Sequence, residues 1–266
     1  MKYGIHAALA ALCMFGALEA KAFVIDDATN GANTYWGSDS HGFGDVIGDS
    51  SYNVNSATVT RQNSILQITI STNFAGHAGQ DSALAPNGIG YGDLFLAPSW
   101  TPFGVDAHHQ NDNAANGTRW TYGFNLDNRW SNTGGTFSLY ALNGSNNSNN
   151  ALLSENFLSC ILDIQCFYRD GQVVSVNPTS SSVANTGVTG TWAVNPNSSI
   201  VFTLNTTGTA LNNYSDLALH WSQTCGCDVI EGVGTLPEPA TLALLGLGLF
   251  GLGVSRRQSK RQAFSN

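Results

Sequence analysis

The chain has 266 residues and a formal net charge of −8, from 18 Asp and Glu against 10 Lys and Arg. Residues 23–235 hold sixteen of the carboxylates but only four of the cations, all arginines, so this part of the chain carries a net charge of −12. A surface of that sign repels phosphate backbones and anionic membranes, which excludes nucleic-acid binding as a function.

The first 22 residues predict a secretory signal peptide. Lys2 precedes an apolar stretch, and the small residues Ala20 and Ala22 stand at positions −3 and −1 of a cleavage point after Ala22. We expect the secretion machinery to export the chain and the mature body to begin at residue 23. A buried N-terminal helix is the alternative interpretation.

The body, residues 23–235, has a length that suits one domain. Its apolar and polar residues alternate with a period of two, which is typical of half-buried strands. The alternation covers residues 66–70, 120–126, 137–141, 200–204 and 217–221. Turn-rich clusters separate these runs, and no convincing amphipathic helix is found. The sequence therefore predicts an all-β fold, an antiparallel β-sandwich that is jelly-roll-like.

Two long stretches without a strand pattern, residues 26–51 and 98–117, are expected to form loops. Loops of that length are usually functional or disordered. Trp36 and Trp100 fall in these loops, where an indole ring could stack on a sugar, whereas Trp120 is expected in the core. The Asn- and Ser-rich run 143–150 is expected to be a mobile tip.

Aspartates in or near these loops offer oxygen ligands to a hard cation. The candidates for a structural Ca²⁺ are Asp39, Asp45, Asp49 and Asp93. The full D-x-[DN]-x-[DN]-G pattern is missing, and Asp is also a common turn residue. Both interpretations stay open, and no cofactor is required by the sequence.

Four cysteines follow the signal peptide, and an even number in an exported chain favours two disulfides. They are Cys160, Cys166, Cys225 and Cys227. Local pairing would join Cys160 to Cys166 and Cys225 to Cys227, while crossed pairing would close longer loops and constrain the unfolded chain more. The residues alone leave the three pairings open, with a zinc site as the weaker alternative.

Catalytic groups are scarce in the body. Glu155 and Glu231 are its only glutamates, and a retaining glycosidase needs two carboxylates about 5–5.5 Å apart. His220 alternates with Leu219 and Trp221, so we expect it to face solvent or an intersheet partner. We expect the protein not to be an enzyme. A secreted carbohydrate-active hydrolase or lyase with a loop-built site stays as the alternative.

The C-terminal residues 236–261 combine a turn, an apolar run and a basic cluster. The turn is Pro237-Glu238-Pro239, and the apolar run covers 15 residues, 240–254. As a helix that run would span roughly 22 Å against a bilayer core of about 30 Å, which makes a thin transmembrane segment. A stop-transfer cluster follows, formed by Arg256, Arg257, Lys260 and Arg261. It would keep residues 262–266 as a cytoplasmic tail.

This tail resembles the PEP-CTERM sorting signal, on the residues Leu236-Pro237-Glu238-Pro239, the apolar run and Arg256-Arg257. The resemblance implies processing by exosortase, a membrane transpeptidase of Gram-negative bacteria that make exopolysaccharide. Residues 35–48, 88–98 and 218–232 also look like segments of exosortase-dependent surface proteins. Cys227 stands where that group would have Asn, and this departure implies an extra disulfide.

These features predict an exported protein that is anchored transiently in the inner membrane and then reaches the cell surface or the extracellular matrix. We hypothesise that the body has an adhesive, structural or glycan-binding role in exopolysaccharide and biofilm, since the resemblance itself carries over the sorting and no activity. Exosortase, the secretion machinery and possible exopolysaccharide are the expected partners.

Overall fold

A computed structural model describes residues 21–27, 42–43, 46–48, 50–82, 85–103, 114–159, 169 and 171–236. By their contacts, Ala22–Leu236 form one unit. The other unit is Met1–Lys21 with Pro237–Asn266, almost all of which lies outside the described residues.

Fourteen strands make up about half of the described residues. They are β1 Lys21–Asp26, β2 Gly42–Phe43, β3 Val46–Ile47, β4 Val54–Gln62, β5 Ile65–Thr72, β6 Leu94–Ala97, β7 Tyr122–Leu126, β8 Gly134–Leu142, β9 Ala151–Leu153, β10 Val173–Val176, β11 Val183–Asn195, β12 Ser199–Asn205, β13 Asp216–Ser222 and β14 Val229–Thr235. The helical turns are short 3₁₀ segments at Ser50–Tyr52, Asn147–Asn149, Ser154–Asn156 and Ala210–Asn213. The all-β prediction is confirmed.

Ten of these strands form one sheet, in the order β1-β4-β5-β12-β11-β8-β7-β6-β13-β14. Its pairs from β4 to β14 are antiparallel. The hairpin β9–β10 and the short pair β2–β3 form two small sheets beside it. The sandwich prediction is wrong in this respect, because the described residues form one large sheet rather than two facing sheets of similar size.

The sheet curves until its first and last strands meet. Phe23 and Ile25 of β1 lie directly against Gly234 and Gly232 of β14, with Cγ2 of Ile25 only 2.9 Å from the place a Cβ on Gly232 would take. The amide of Val54, which begins β4, also donates to Oδ2 of Asp228, which precedes β14, at 2.6 Å. The first and last strands of the sheet are therefore packed against each other through the side chains of β1.

Two apolar clusters fill the structure, one on each face of the strands β6 and β13. The larger cluster contains Leu96, Leu219 and Trp221, and the smaller one contains Phe95 and Ala218. The hairpin β9–β10 contributes to the smaller cluster and covers that side of the sheet. Alternating residues of β6 and β13 are thus buried on both sides, and this is what encloses His220.

Trp120 is buried as expected, but it belongs to the smaller cluster, whereas Phe124 belongs to the larger one. The predicted strand 120–126 is shorter, because β7 begins at Tyr122 and Trp120 precedes it. The change of side follows from this late start, since the strict alternation of faces holds only within a strand.

Candidate functional site

The candidate site lies where β13 pairs with β14 beneath the hairpin β9–β10. The antiparallel register places His220 directly opposite Glu231, on the side of the sheet away from Leu219 and Trp221. His220 is buried, and its ring stands between two aromatic neighbours, Trp120 at 5.6 Å and Phe95 at 6.0 Å between ring centroids.

Both ring nitrogens of His220 are engaged. Nδ1 is 3.0 Å from Oε2 of Glu231, and Nε2 is 2.7 Å from the carbonyl oxygen of Val173 in β10. A carbonyl oxygen only accepts, so Nε2 must donate. A proton must then also lie between Nδ1 and the carboxyl group of Glu231, carried by one partner or the other. The Nδ1 contact therefore links β13 to β14, and the Nε2 bond joins the sheet to the hairpin.

Trp100 completes this group. Its indole Nε1 donates to Oε1 of Glu231 at 2.7 Å, and the side chain is partly buried against the smaller cluster. The expected loop position of Trp100 is correct, but its ring is held by a carboxylate rather than standing free. Glu231 thus accepts from a loop residue and contacts a strand residue at the same time.

A small polar cavity adjoins the pair. Its lining comprises Asn116, Thr118, Trp120, Asn147, Gln172, Val173, His220 and Glu231. It has room for one water molecule or one hydroxyl group. Among these residues Asn116 is exposed, whereas Thr118 and Gln172 are buried. The cavity can accept one polar group through hydrogen bonds.

The run 143–150 is fixed against this cavity rather than being a mobile tip. Asn147 is buried, its Nδ2 donates to the carbonyl of Thr118 at 2.8 Å, and its Oδ1 accepts from the amide of Trp120 at 3.1 Å. Asn150 is buried as well and accepts from the amide of Gly144 at 2.9 Å. In this run, Asn side chains bond to backbone groups in place of strand pairing. The composition of the run did not indicate these bonds.

Asp93 is buried within a network of donors and does not have the open position that a calcium ligand requires. Its carboxylate contacts Arg129 at 3.2 Å and accepts from Ser175 Oγ at 2.9 Å and the amide of Val176 at 2.8 Å. The amide of Leu126 adds a further bond at 3.1 Å. The guanidinium of Arg129 therefore supplies the positive charge beside Asp93 that the calcium prediction assigned to Ca²⁺.

The other three calcium candidates, Asp39, Asp45 and Asp49, lie outside the described residues, as does Trp36. Among the residues that the structure does describe, no three His, Cys, Asp or Glu side chains gather as metal ligands. Glu155 accepts from the amide of Gly171 at 3.1 Å and is exposed.

A disulfide joins Cys225 to Cys227 in the turn between β13 and β14. This is one of the pairings that the sequence left open. Cys160 and Cys166 lie outside the described residues. The same turn also joins distant parts of the chain, which the sequence did not predict. Gln223 donates to the carbonyl of Tyr52 at 2.6 Å, and Thr224 Oγ1 accepts from the amide of Gly90 at 2.9 Å.

The targeting segments are described only where they join the body. Ala22 is an exposed residue of β1, while Ala20 lies outside the described part. So do the sorting residues Pro237, Glu238 and Pro239 and the basic cluster Arg256, Arg257, Lys260 and Arg261. Within the described ranges, no helix is both long enough and apolar enough to cross a bilayer.

A family model of the PEP-CTERM protein-sorting motif matches residues 235–257. The chain carries a PEP-CTERM sorting motif. The match begins at the last residue of β14, so the PEP-CTERM motif overlaps the end of the folded body. It implies exosortase as the processing partner and a secreted surface protein that transits the membrane. Neither the curated proteins nor the solved structures contain a match to this chain.

Proposed function

We propose that this PEP-CTERM protein is delivered to the cell surface or into exopolysaccharide, where its body binds glycan in an adhesive or structural role in biofilm. The observation that carries this proposal is the sorting motif at residues 235–257, because such a motif implies a secreted surface protein. Signal-peptide cleavage after Ala22 and passage through the inner membrane belong to the same proposal.

The cavity beside His220 supports the glycan-binding part. Its lining offers amide, hydroxyl, carboxyl and imidazole groups together with the indole of Trp120, which are the groups that hold sugars by hydrogen bonds and apolar contact. Its volume suits one sugar hydroxyl. The net charge of −12 over residues 23–235 favours a neutral glycan over an anionic one.

Binding is favoured over the alternative, a carbohydrate-active enzyme. Among the described residues that line the cavity, Glu231 is the one carboxylate, and it is already engaged by Trp100 and His220. A retaining or inverting glycosidase uses two carboxyl groups that flank the bond to be cleaved.

The test is co-sedimentation of the released protein with the host's neutral exopolysaccharide, comparing two tryptophan substitutions. Asn116→Trp would fill the exposed mouth of the cavity, whereas Asn87→Trp places the same ring at another exposed position. We expect Asn116→Trp to weaken binding about tenfold and Asn87→Trp to leave it unchanged. Equal binding by both variants would contradict this site, and release of new reducing ends or unsaturated sugars would support the enzyme instead.

A further inference from the structure

The residues just before Pro237 belong both to the sorting motif and to the folded body. The sorting motif begins at Thr235, and Thr235 is also the last residue of β14, paired with Asp216 of β13. No residue separates buried Leu236 from Pro237. The first two residues of the motif are therefore part of the folded body.

These two residues are firmly bonded. The amide of Leu236 donates to the carbonyl of Ser215 at 2.6 Å, and its side chain is 2% exposed within the larger apolar cluster. Thr235 Oγ1 donates to Oδ1 of Asp216 at 2.9 Å. Leaving this position costs backbone and side-chain hydrogen bonds and exposes a leucine to water.

The first strand adds a second restraint one residue earlier. Phe23 of β1 lies so close to Gly234 that even a methyl group there would overlap its ring. The end of β14 is thus held by β13 through hydrogen bonds and by β1 through packing. A strand end with these contacts opens only by local unfolding.

An enzyme that cleaves a peptide commonly takes it as an extended strand and pairs with its backbone, using groups that the sheet already occupies here. We propose that the folded body restrains its own processing, and that the end of β14 must detach from Ser215 and Asp216 before exosortase can take residues 235–239. Processing then proceeds at a rate set by the opening of this strand end. This inference rests on the proposed sorting by exosortase and adds its regulation.

The experiment is pulse-chase conversion of precursor to mature protein in an exosortase-containing host, with the full-length chain. A Gly-Ser-Gly-Ser spacer between Leu236 and Pro237 separates residues 237–239 from the folded body without altering their sequence, and we expect conversion to be several times faster. The matched control carries the same spacer between Thr207 and Gly208, at the exposed tip of the turn after β12 where a Cβ on Gly208 would meet nothing, and should convert at the wild-type rate.

A substitution separates strand opening from altered recognition by the enzyme. Asp216→Ala leaves residues 235–257 intact and removes the acceptor of Thr235, so we expect conversion about threefold faster, together with faster exchange of the Leu236 amide. Spacer and Asp216→Ala chains that convert at the wild-type rate would overturn the restraint while sorting stands. If no chain converts at all, the proposed processing fails, and the restraint fails with it.

Discussion

The carboxylate of Asp127 shows how one exposed residue is tuned by its neighbours. Partial loss of water around the carboxylate would by itself raise its pKa, but hydrogen bonds from Thr136, the indole of Trp192 and the amide of Asn128 together lower the pKa below its ordinary value. The ionised form is therefore favoured in the folded state. Its stabilising contribution is complete above the unfolded pKa of about 4 and is lost as the pH falls through the lower, folded pKa.

We accordingly expect Asp127→Asn to flatten the acid side of the stability profile. The wild-type free energy of unfolding should fall more steeply below about pH 4 than that of Asp127→Asn, because only the wild type takes up this proton on unfolding. Urea unfolding at a series of pH values measures the slopes. Thr136→Val removes one of the donors and should give an intermediate slope; three equal slopes would contradict the role of Asp127.

At the scale of single elements, the closure of the sheet depends on two glycines in β14. Gly232 and Gly234 leave room for Ile25 and Phe23 of β1, and side chains at either position would occupy the same space. This requirement follows from the close approach of β1 to the backbone of β14.

Gly234→Ala should therefore release β1 from the sheet. We expect Phe23 to become accessible, amide exchange within residues 22–26 to rise, and the protein to lose about 1–3 kcal/mol from overpacking. Val233→Ala is the matched control, since Val233 lies in the same strand with an exposed side chain. Protection of β1 that is equal in both variants would show that the glycine does not hold it.

The strands that the sequence predicts best are those with one buried and one exposed face. In β5, for example, Leu66, Ile68 and Ile70 are buried while Gln67 is exposed. The alternation disappears in β6, where all four residues are buried, and in β11, where most residues face solvent. A period of two carries information only when the two faces differ.

The candidate site was less predictable, because its members meet only through tertiary register. The alternation of β13 predicts that His220 faces away from Leu219 and Trp221. Its pairing with Glu231, however, depends on the register of β13 and β14. Its contact with the carbonyl of Val173 spans 47 positions. Likewise, no local sequence pattern around Asp93 indicates that its partner is Arg129, which lies 36 positions later.

At the scale of the whole body, the buried pair Asp93 and Arg129 joins the hairpin β9–β10 to the large sheet. Asp93 lies just before β6, its carboxylate accepts from Val176 of β10 and Leu126 of β7, and its own amide donates to Val174. Arg129 extends the link to the carbonyl of Tyr91 at 2.9 Å. The two apolar clusters should therefore unfold together.

Asp93→Asn tests this coupling, because it leaves the Arg129 guanidinium buried without its counter-charge. Breaking a buried pair in this way costs about 3–5 kcal/mol, so we expect the urea midpoint to fall and the amides of Val174 and Val176 to exchange earlier than those of β5 and β12. Asp216→Asn makes the same chemical change at an exposed site and should shift the midpoint far less. If Asp93→Asn lowers stability no more than this control, or if the hairpin still exchanges together with the sheet, Asp93 does not couple the two clusters.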